Sequence, residues 1–539
     1  MNARAWLFSL AVVGCSQGSV DVPPDDAAPR EDLAPPDVPI TPDALAPPDA
    51  PAPPDVPITP DALAPPDAPV TPDAPVTPDA PDVPVTPDVP VMDVTCPPAP
   101  TLPADGDPWG VVLPSAGAVS TRMVTSGAHR DVYLRGPDGV AEIGVRLDWG
   151  GSVVFFGQAG IAASNTIDAG DTGRELQLAI YDPTRLFQGC AHNASCAGTN
   201  PCGNSITFLG WNPVQGGDEC NRGARVLRNE VVGDRLVVAV RPLQWNPDWS
   251  ATDCRTSACG AAGTEVAVTY TLGFRFVHAN VVEVDMQVGS EETFSHPPTE
   301  QEFPTLYVGN GMNGSTDLPL LLDGAGAPIT IDLPANDGFT YRNFASSAGW
   351  VTWQHAARDY GVGLAMDHNG ADFQAWAGSG RGAPYFHNVR PRQRFGLAAG
   401  ATVRGRAYLA LGSEATVRSL MAMVSARRAP FGVVDAPAAG AVTAVTGRAV
   451  RVRGWALDNA ALATVSVRLD DREVATLPRS SERADVCAAF PNYPGCTRVG
   501  FDGDVTLPAS DGCVHVLSVV ARDADGNETT LARRLVRSA

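Results

Sequence analysis

Residues 281–288 read Val-Val-Glu-Val-Asp-Met-Gln-Val, and from Val282 onward apolar and polar side chains alternate. This period of two predicts a β-strand with one buried face. Similar runs occur at residues 175–181 and 235–240, and Gly, Asn, Asp and Pro separate such runs along the chain. Helical periodicity is weak except around Ala415–Val424. Many strands without intervening helices predict a mainly β fold, with one large antiparallel β-sandwich over residues 96–431.

Residues 432–539 are predicted to form a second, smaller sandwich. About seven short strands in this length are typical of an Ig-like fold. The clearest strand candidates are Ala449–Leu457, Thr464–Leu469, Glu473–Leu477, Gly500–Leu507 and His515–Arg522. Residues 523–527, Asp-Ala-Asp-Gly-Asn, could be taken for a calcium loop, but they lack the distal bidentate Glu, so a hairpin turn is predicted there. The stretches 454–458 and 485–496 resemble a bacterial Ig-like module that is often appended to secreted proteins.

The first fifteen residues have the pattern of an export signal. A short head with one Arg precedes an apolar run, Ala5–Val13, which is too short to span a bilayer. The following Val-Val-Gly-Cys, ending at Cys15, resembles the lipobox of bacterial lipoproteins, in which the Cys is lipidated. The alternative is a conventional signal peptide whose Cys15 is incidental. Ser16 stands where Asp would favour the inner membrane, so the resemblance implies a lipid-anchored protein of the outer membrane or cell surface.

Residues 16–95 are predicted to be a disordered or extended stalk. They consist largely of Pro, Asp, Ala, Val and Thr, and residues 35–51 recur as 53–69. Proline fixes φ and removes amide donors, which excludes helix and sheet and leaves polyproline II. Acidic residues recur every six positions from Asp25 to Asp79, along one edge of such a helix, where their repulsion favours extension. The segment is interpreted as a spacer, or as a low-complexity tail without a selected length.

Net charge and motifs exclude several classes of function. Residues 16–95 contribute −15 of the net charge of −22. The remainder is mildly acidic and lacks a cluster of Lys or Arg, which argues against nucleic-acid binding. Gly-x-Ser-x-Gly occurs only at residues 14–18, around the lipobox-like Cys15, and the sequence contains no His-Glu-x-x-His or phosphate-binding P-loop. No cofactor is predicted.

The cysteines predict disulfides in an exported protein. Ten remain when Cys15 is set aside, an even number. Cys190, Cys196 and Cys202 lack the two-residue spacing of a zinc knuckle, so no metal site is predicted. Cys254 with Cys259 and Cys487 with Cys496 are the short-range candidate pairs, and the sequence does not pair the others.

Three polar and aromatic segments are candidates for ligand binding. The first lies at residues 165–177, the second at residues 211–218 and the third at residues 244–249. Flat aromatic rings beside amides and carboxylates suit sugars, which stack through their C–H faces and need paired donors and acceptors. A solvated strand face and buried core tryptophans are the alternatives. The candidate binding residues are Arg174, Gln177, Trp211, Asn212, Gln215, Asp218 and Trp245.

Residues 110–425 resemble large β-sandwich proteins of the galactose-mutarotase-like type, which include epimerases, polysaccharide lyases and glycosidases. The resemblance rests on the segment 296–304 before a strand and on Trp350–His355 leading into residues 360–364. Chemistry on a sugar ring needs an acid and a base on either side of it. Glu302 is therefore the candidate general base, and His296 or His355 the candidate acid.

Two hypotheses of function follow from these observations. In the first, the large β domain of a lipid-anchored surface protein binds or processes a polysaccharide or other glycan. In the second, the protein is a non-catalytic surface, adhesion or structural lipoprotein, as the stalk, the Ig-like module and the lack of a complete catalytic motif suggest. If the first holds, Glu302, Asp218, Arg174 and the histidines should converge on one cleft.

Overall fold

The structure is a computed structural model. It describes residues 96–105, 113–170, 172–186, 210–211, 213–217, 223–244, 265–312, 314–332, 338–367, 372–380, 383–459, 461–495, 498–507 and 511–538. The chain divides into two compact units, Met1–Val89 and Pro90–Ala539, and every described residue belongs to the second. The signal segment, Cys15 and the stalk as far as residue 95 therefore lie outside the described residues.

The first part of the described chain consists of twenty-two strands and one long helix. The strands are β1 (Ser120–Ser126), β2 (His129–Arg135), β3 (Ala141–Arg146), β4 (Ser152–Gln158), β5 (Leu176–Ala179), β6 (Asp182–Leu186), β7 (Gly210–Trp211), β8 (Pro213–Val214), β9 (Arg225–Val232), β10 (Arg235–Arg241), β11 (Leu243–Gln244), β12 (Val268–His278), β13 (Val281–Ser290), β14 (His296–Val308), β15 (Leu320–Asp323), β16 (Gly338–Ala345), β17 (Trp350–Gln354), β18 (Gly361–Met366), β19 (Asp372–Gly380), β20 (Ala383–Pro391), β21 (Gln393–Leu397) and β22 (Thr402–Gly412). Helix α1 spans Glu414–Arg427. Short 3-10 turns lie at Pro137–Gly139, Leu147–Trp149 and Ala162–Ser164.

Twenty of these strands form two large sheets that pack face to face, and β6 and β7 form a separate two-stranded sheet. The twelve-stranded sheet runs β1-β2-β3-β4-β5-β14-β20-β19-β16, with β8, β11 and β21 paired off this path. The eight-stranded sheet runs β15-β17-β18-β22-β13-β12-β10-β9. Leu134 and Leu306 of the first sheet and Leu272 and Val284 of the second belong to one buried apolar cluster. The large antiparallel sandwich predicted from alternating sequence is thus confirmed.

The remaining strands form the smaller sandwich. They are β23 (Phe431–Ala436), β24 (Thr443–Val445), β25 (Ala449–Leu457), β26 (Leu462–Leu469), β27 (Arg472–Thr476), β28 (Arg479–Ser481), β29 (Gly500–Thr506), β30 (Val514–Asp523) and β31 (Glu528–Ser538), with helix α2 at Ala484–Ala489 and a 3-10 turn at Thr446–Arg448. A four-stranded sheet, β23-β25-β29-β28, faces a five-stranded sheet, β24-β31-β30-β26-β27. Their apolar side chains share a second buried cluster, for example Val452, Phe501, Val467 and Val519. The expected hairpin turn joins β30 to β31.

The stretch that predicts the fold has both of its faces buried. Val282, Val284 and Met286 point into the core between the sheets. On the opposite face, Arg275 Nη2 lies 2.7 Å from Glu283 Oε1, and Arg406 donates from Nε to Asp285. The charged side chains of β13 therefore form an internal ion network. They do not lie on the solvated surface that alternation usually indicates.

The two sandwiches are joined by polar contacts. Tyr493, just beyond α2, hydrogen-bonds Asp367 at the end of β18. Its neighbour Asn492 donates to Gln393 Oε1 at 2.9 Å. Asn527, in the hairpin turn of the small sandwich, donates to the carbonyl of Arg428 beyond α1 at 3.2 Å.

A disulfide also joins the start of the described chain to the small sandwich. Cys96 pairs with Cys513, across 417 residues of sequence. An ion pair links the same two parts of the chain, because Arg534 Nη2 lies 2.6 Å from Asp105 Oδ2. Cys487 is disulfide-bonded as well, while its candidate partner Cys496 and the pair Cys254–Cys259 lie outside the described residues.

None of the helices in the described residues is long and apolar enough to cross a membrane.

Candidate functional site

The polar side chains of the twelve-stranded sheet gather on the face opposite its core, at β5, β14, β20 and β19. Strand register places Gln177 beside Thr305, Tyr307 beside Asn388, and Arg390 beside Gln374. We call the face formed by Gln177, Glu302, Thr305, Tyr307, Gln374, Trp376, Asn388 and Arg390 the polar face. It is the candidate site.

Alternation along the strands explains why these residues share a face. In β19, Phe373, Ala375 and Ala377 point into the core, so Gln374 and Trp376 point the other way. The same rule holds in β20, where Val389 is buried in the core and its neighbours Asn388 and Arg390 lie on the polar face. Strands β19 and β20 thus each contribute two polar side chains to the polar face.

Glu302 joins the polar face through an irregularity in β14. The pairing of β14 with β5 shifts between Glu302 and Thr305. Because of this shift, residues three apart lie on one face, which a regular strand does not allow. Tyr181 donates from its hydroxyl to Glu302 Oε1 at 2.8 Å, and Arg390 Nη1 donates to the same oxygen at 2.8 Å.

Arg390 continues this chain of hydrogen bonds across the sheet. Its Nη2 donates to Gln374 Oε1 at 2.6 Å, and the indole N–H of Trp376 donates to that oxygen at 2.6 Å as well. The amide nitrogen of Gln374 in turn donates to Asn343 in β16 at 2.8 Å. Four neighbouring strands are therefore connected through side chains that all lie on one face.

Burial and charge fix the protonation states on this face. Burial, followed by the negative charge of Glu302, raises the pKa of both Tyr181 and Tyr307. Burial opposes the positive charge of Arg390, but the Glu302 carboxylate raises the pKa of Arg390 on balance. At neutral pH Tyr181 and Tyr307 therefore keep their phenolic O–H groups and Arg390 stays positively charged.

Aromatic rings border the polar face at two places. Tyr341 of β16 stacks on Trp376, with ring centroids 4.7 Å apart and an interplanar angle of 29°. The Tyr341 side chain is 55% exposed, so part of this pair faces solvent. On the other side of the face, the Phe386 ring lies 5.8 Å from that of Tyr307 and 5.3 Å from the guanidinium carbon of Arg174.

The predicted binding residues are only partly brought together. Arg174 and Gln177 lie at the polar face, although the Gln177 amide bonds the backbone of Gly173 and Gly216. Gln215 is fully buried and bonds Leu178 N and Gly150 O, so its amide supports the loops beneath the sheet. Trp211 lies in β7, which pairs with β6. Asn212, Asp218 and Trp245 lie outside the described residues.

Among the described contacts, neither predicted acid is hydrogen-bonded to Glu302. His296 is buried, with Nδ1 2.7 Å from Asp182 and Nε2 2.6 Å from Glu292. It precedes Glu302 by six residues in β14, about 20 Å along an extended strand. His355 follows β17 of the other sheet, where its Nε2 lies 2.7 Å from the Thr316 hydroxyl. The catalytic roles of the three residues stay predictions, and the described contacts do not assemble them.

Several residues of the site were not predicted from the sequence. Tyr307, Asn388, Arg390, Gln374 and Trp376 all belong to strands with alternating polar and apolar side chains. The signal that could have revealed them is the matching alternation of residues 373–377 and 387–390. The polar positions of these two adjacent strands are amides, an indole and a guanidinium. Such a set is more typical of a candidate site than of a solvated face.

In the part of the chain that the structure describes, no group of three or more His, Cys, Asp or Glu residues is arranged to hold a metal ion.

Comparison with solved structures gives distant likenesses. A galactose mutarotase-like protein from Clostridium acetobutylicum is 10% identical, with a TM-score of 0.31 over 55% of this chain and 99% of its own. The aldose epimerase homologue from C. elegans is 8% identical, with a TM-score of 0.29 over 55% of this chain and 99% of its own. A polysaccharide lyase is 9% identical, with a TM-score of 0.27 over 79% of this chain and 47% of its own. No family model matches the chain. No curated protein matches it either.

Proposed function

We propose that the protein is an exported, lipid-anchored bacterial surface protein whose large sandwich binds carbohydrate at the polar face. The observation that carries the proposal is the environment of Glu302. Both hydrogen bonds that its carboxylate accepts from described residues go to Oε1. Oε2 can therefore accept a hydrogen bond from a ligand hydroxyl. The charged donor Arg390 and the neutral donor Tyr181 lie beside this carboxylate.

The aromatic borders support a sugar over other polar ligands. The exposed part of the Tyr341–Trp376 stack offers an aromatic surface next to the amides of Gln374 and Asn343. A pyranose ring can lie its C–H face on such a surface while its hydroxyls meet amide and carboxylate groups. Tyr307, which is half-buried and packs against the buried Phe386, offers a second aromatic contact, which suits a ligand longer than one sugar residue.

Binding is favoured over processing by the partners of the acidic and basic groups. Glu302 is held by Arg390 and Tyr181, and His296 by two carboxylates. A non-catalytic surface or adhesion role is therefore compatible with the same site, because carbohydrate binding needs no acid–base pair. An enzymatic role would require a proton donor and a proton acceptor other than Glu302 and His296.

A glycan array with the purified protein tests the binding site, followed by titration calorimetry on the best ligand. Tyr341→Ala should weaken binding about tenfold by removing the exposed aromatic contact. Met312→Ala is the matched control, since Met312 is also half exposed but lies outside the polar face. Equal affinity of both variants, or silence on the array, would refute the proposed site. Release of reducing ends or unsaturated uronates would show processing as well.

The anchor is tested separately. Cys15→Ser should move the protein from the membrane fraction to the soluble fraction without changing the melting temperature of the folded part. Stable attachment needs more than one acyl chain, as bacterial lipoproteins carry. A Cys15→Ser protein that still sediments with membranes would rule out the lipid anchor.

A further inference from the structure

Strand β9 is an edge of the eight-stranded sheet. Among the described residues it pairs on one side only, with β10. Three of its apolar side chains are unusually exposed: Leu227 and Val231 at 43% each and Val232 at 52%. An edge with free amide and carbonyl groups and exposed apolar side chains is a template for pairing with another strand.

The sequence of β9 is complementary to itself. Residues 226–232 read Val-Leu-Arg-Asn-Glu-Val-Val. Read outward from Asn229, Arg228 on one side is matched by Glu230 on the other, Leu227 by Val231, and Val226 by Val232. In an antiparallel pair with Asn229 opposite Asn229, each Arg228 of one copy therefore stands opposite a Glu230 of the other, and apolar residues flank these charges on both sides.

We propose that two copies of this chain associate through β9, paired antiparallel about a two-fold axis at Asn229. Charge selects this register. Moving the centre to Glu230 would place two Glu residues directly opposite each other, which is destabilising. Moving it between Asn229 and Glu230 would place Arg228 opposite Val231. The two-fold axis makes the contact closed, so pairing stops at a dimer.

The charged pair is available for this contact. Arg228 and Glu230 are 50% and 49% exposed and already form an ion pair within β9. In the dimer the two pairs from the two copies make an alternating ring of four charges. The register of β9 with β10 shifts between Ala239 and Val240, which makes Leu227 the extra residue, so the straight segment that can pair begins at Arg228. It extends to Val232, and the pairs 228–230 and 229–229 lie within it.

Charge reversal in the purified full chain tests the register. Sedimentation velocity of the wild type over a range of concentrations should show a monomer–dimer equilibrium. Arg228→Glu and Glu230→Arg, each alone, should raise the dimer dissociation constant at least about tenfold, because attractive pairs become repulsive. The double variant R228E/E230R restores opposite charges and should regain dimerisation. A monomeric wild type, single variants that dimerise normally, or a double variant without rescue would each overturn the proposal.

Cysteine cross-linking provides a test that does not depend on affinity. Directly opposed residues in antiparallel strands have Cα atoms about 4.5–5.5 Å apart, which a disulfide can bridge. Asn229→Cys should therefore form a covalent dimer under mild oxidation. Val232→Cys is the matched control, because its partner in this register is Val226 and not itself. Equal cross-linking of both variants, or none of Asn229→Cys, would contradict the two-fold axis.

Discussion

The hydroxyl of Tyr493 donates a 2.5 Å hydrogen bond to Oδ2 of Asp367, and these two residues belong to different sandwiches. Asp367 is almost fully buried, and Arg428 contacts its other oxygen at 3.3 Å. Burial, followed by the charge of Asp367, raises the pKa of Tyr493, so the phenol stays a donor. The junction between the sandwiches therefore depends on a satisfied buried carboxylate.

Tyr493→Phe should destabilise this junction. The substitution keeps the ring, which packs against Phe431 and Phe490, but removes the only atom that donates to Asp367 from the small sandwich among the described residues. A buried acceptor that loses a partner costs about 1–3 kcal/mol. Urea unfolding measures the loss. The control is Tyr341→Phe at an exposed ring, and an equal loss in both variants would show that the Tyr493 hydrogen bond contributes nothing.

Arg390→Met should be more damaging than Glu302→Gln. Removing Arg390 leaves the buried Glu302 carboxylate without its counter-charge, which costs about 3–5 kcal/mol. Gln at position 302 can still accept hydrogen bonds from Tyr181 and Arg390. The double variant E302Q/R390M should recover part of the loss, because no unpaired charge is then buried. Additive effects of the two substitutions in chemical denaturation would argue against a coupled pair.

Trp376→Phe should weaken carbohydrate binding without a large loss of stability. Phe preserves the stack with Tyr341 but cannot donate to Gln374 Oε1, so the Gln374 amide is less firmly oriented toward a ligand. We expect a fall in affinity of about fivefold, from about 1 kcal/mol for one neutral hydrogen bond. Calorimetric titration with the ligand found on the array provides the measurement. Unchanged affinity would place the ligand away from β19.

Loss of the Cys96–Cys513 disulfide should destabilise the small sandwich first. The bond closes a very long loop, and removal of a native disulfide typically costs about 2–5 kcal/mol. The double variant C96S/C513S avoids unpaired thiols and leaves the Arg534–Asp105 ion pair in place. Hydrogen exchange should show faster exchange in β30 and β31 than in β12 and β13. If the variant and the wild type show the same protection from exchange in both sandwiches, this order is contradicted.

His515 should make stability depend on pH. Its hydrogen bond to Asp470, assisted by Asp511, raises the pKa of the imidazole above its ordinary value of about 6.5. A raised folded-state pKa adds stability that is complete below the unfolded pKa and disappears as pH rises through the folded pKa. The difference in unfolding free energy between wild type and His515→Gln should therefore shrink from about pH 6 upward. A difference that is constant or grows with pH would refute this role of His515.

The strands could be predicted because their pattern is local. Residues 281–288 and Ala449–Leu457 alternate, and both are strands within a residue or two of the expected bounds. Ala415–Val424 lies within α1, which Ser413 caps through its side chain. The burial of Glu283 and Asp285 was not predictable in the same way. Their partners Arg275 and Arg406 come from other strands, and nothing near them in sequence indicates the pairing.

Only those site residues that lie in a recognisable polar or aromatic segment of the sequence were predicted. Arg174, Gln177 and Glu302 lie at the polar face, but the residues that hold Glu302 come from β20 and from beyond β5. His296 and Glu302 are six apart and would share a face in a regular strand. In the structure, the first half of β14 pairs with β21 and the second half with β5 and β20, with a register shift in each part. Such shifts depend on tertiary pairing, which alternation alone does not encode.

The Cys96–Cys513 bond sets the route that a pulling force takes through the molecule. Tension arriving along the backbone from the N-terminal side reaches Cys96 and can pass through the covalent bond directly into β30. Residues 97–512, including the polar face, then lie in a closed loop that bears no covalent load. A chain that is pulled at its two ends could therefore be stretched while the large sandwich keeps its shape. Reduction of that single bond would redirect the force through the strands of the large sandwich.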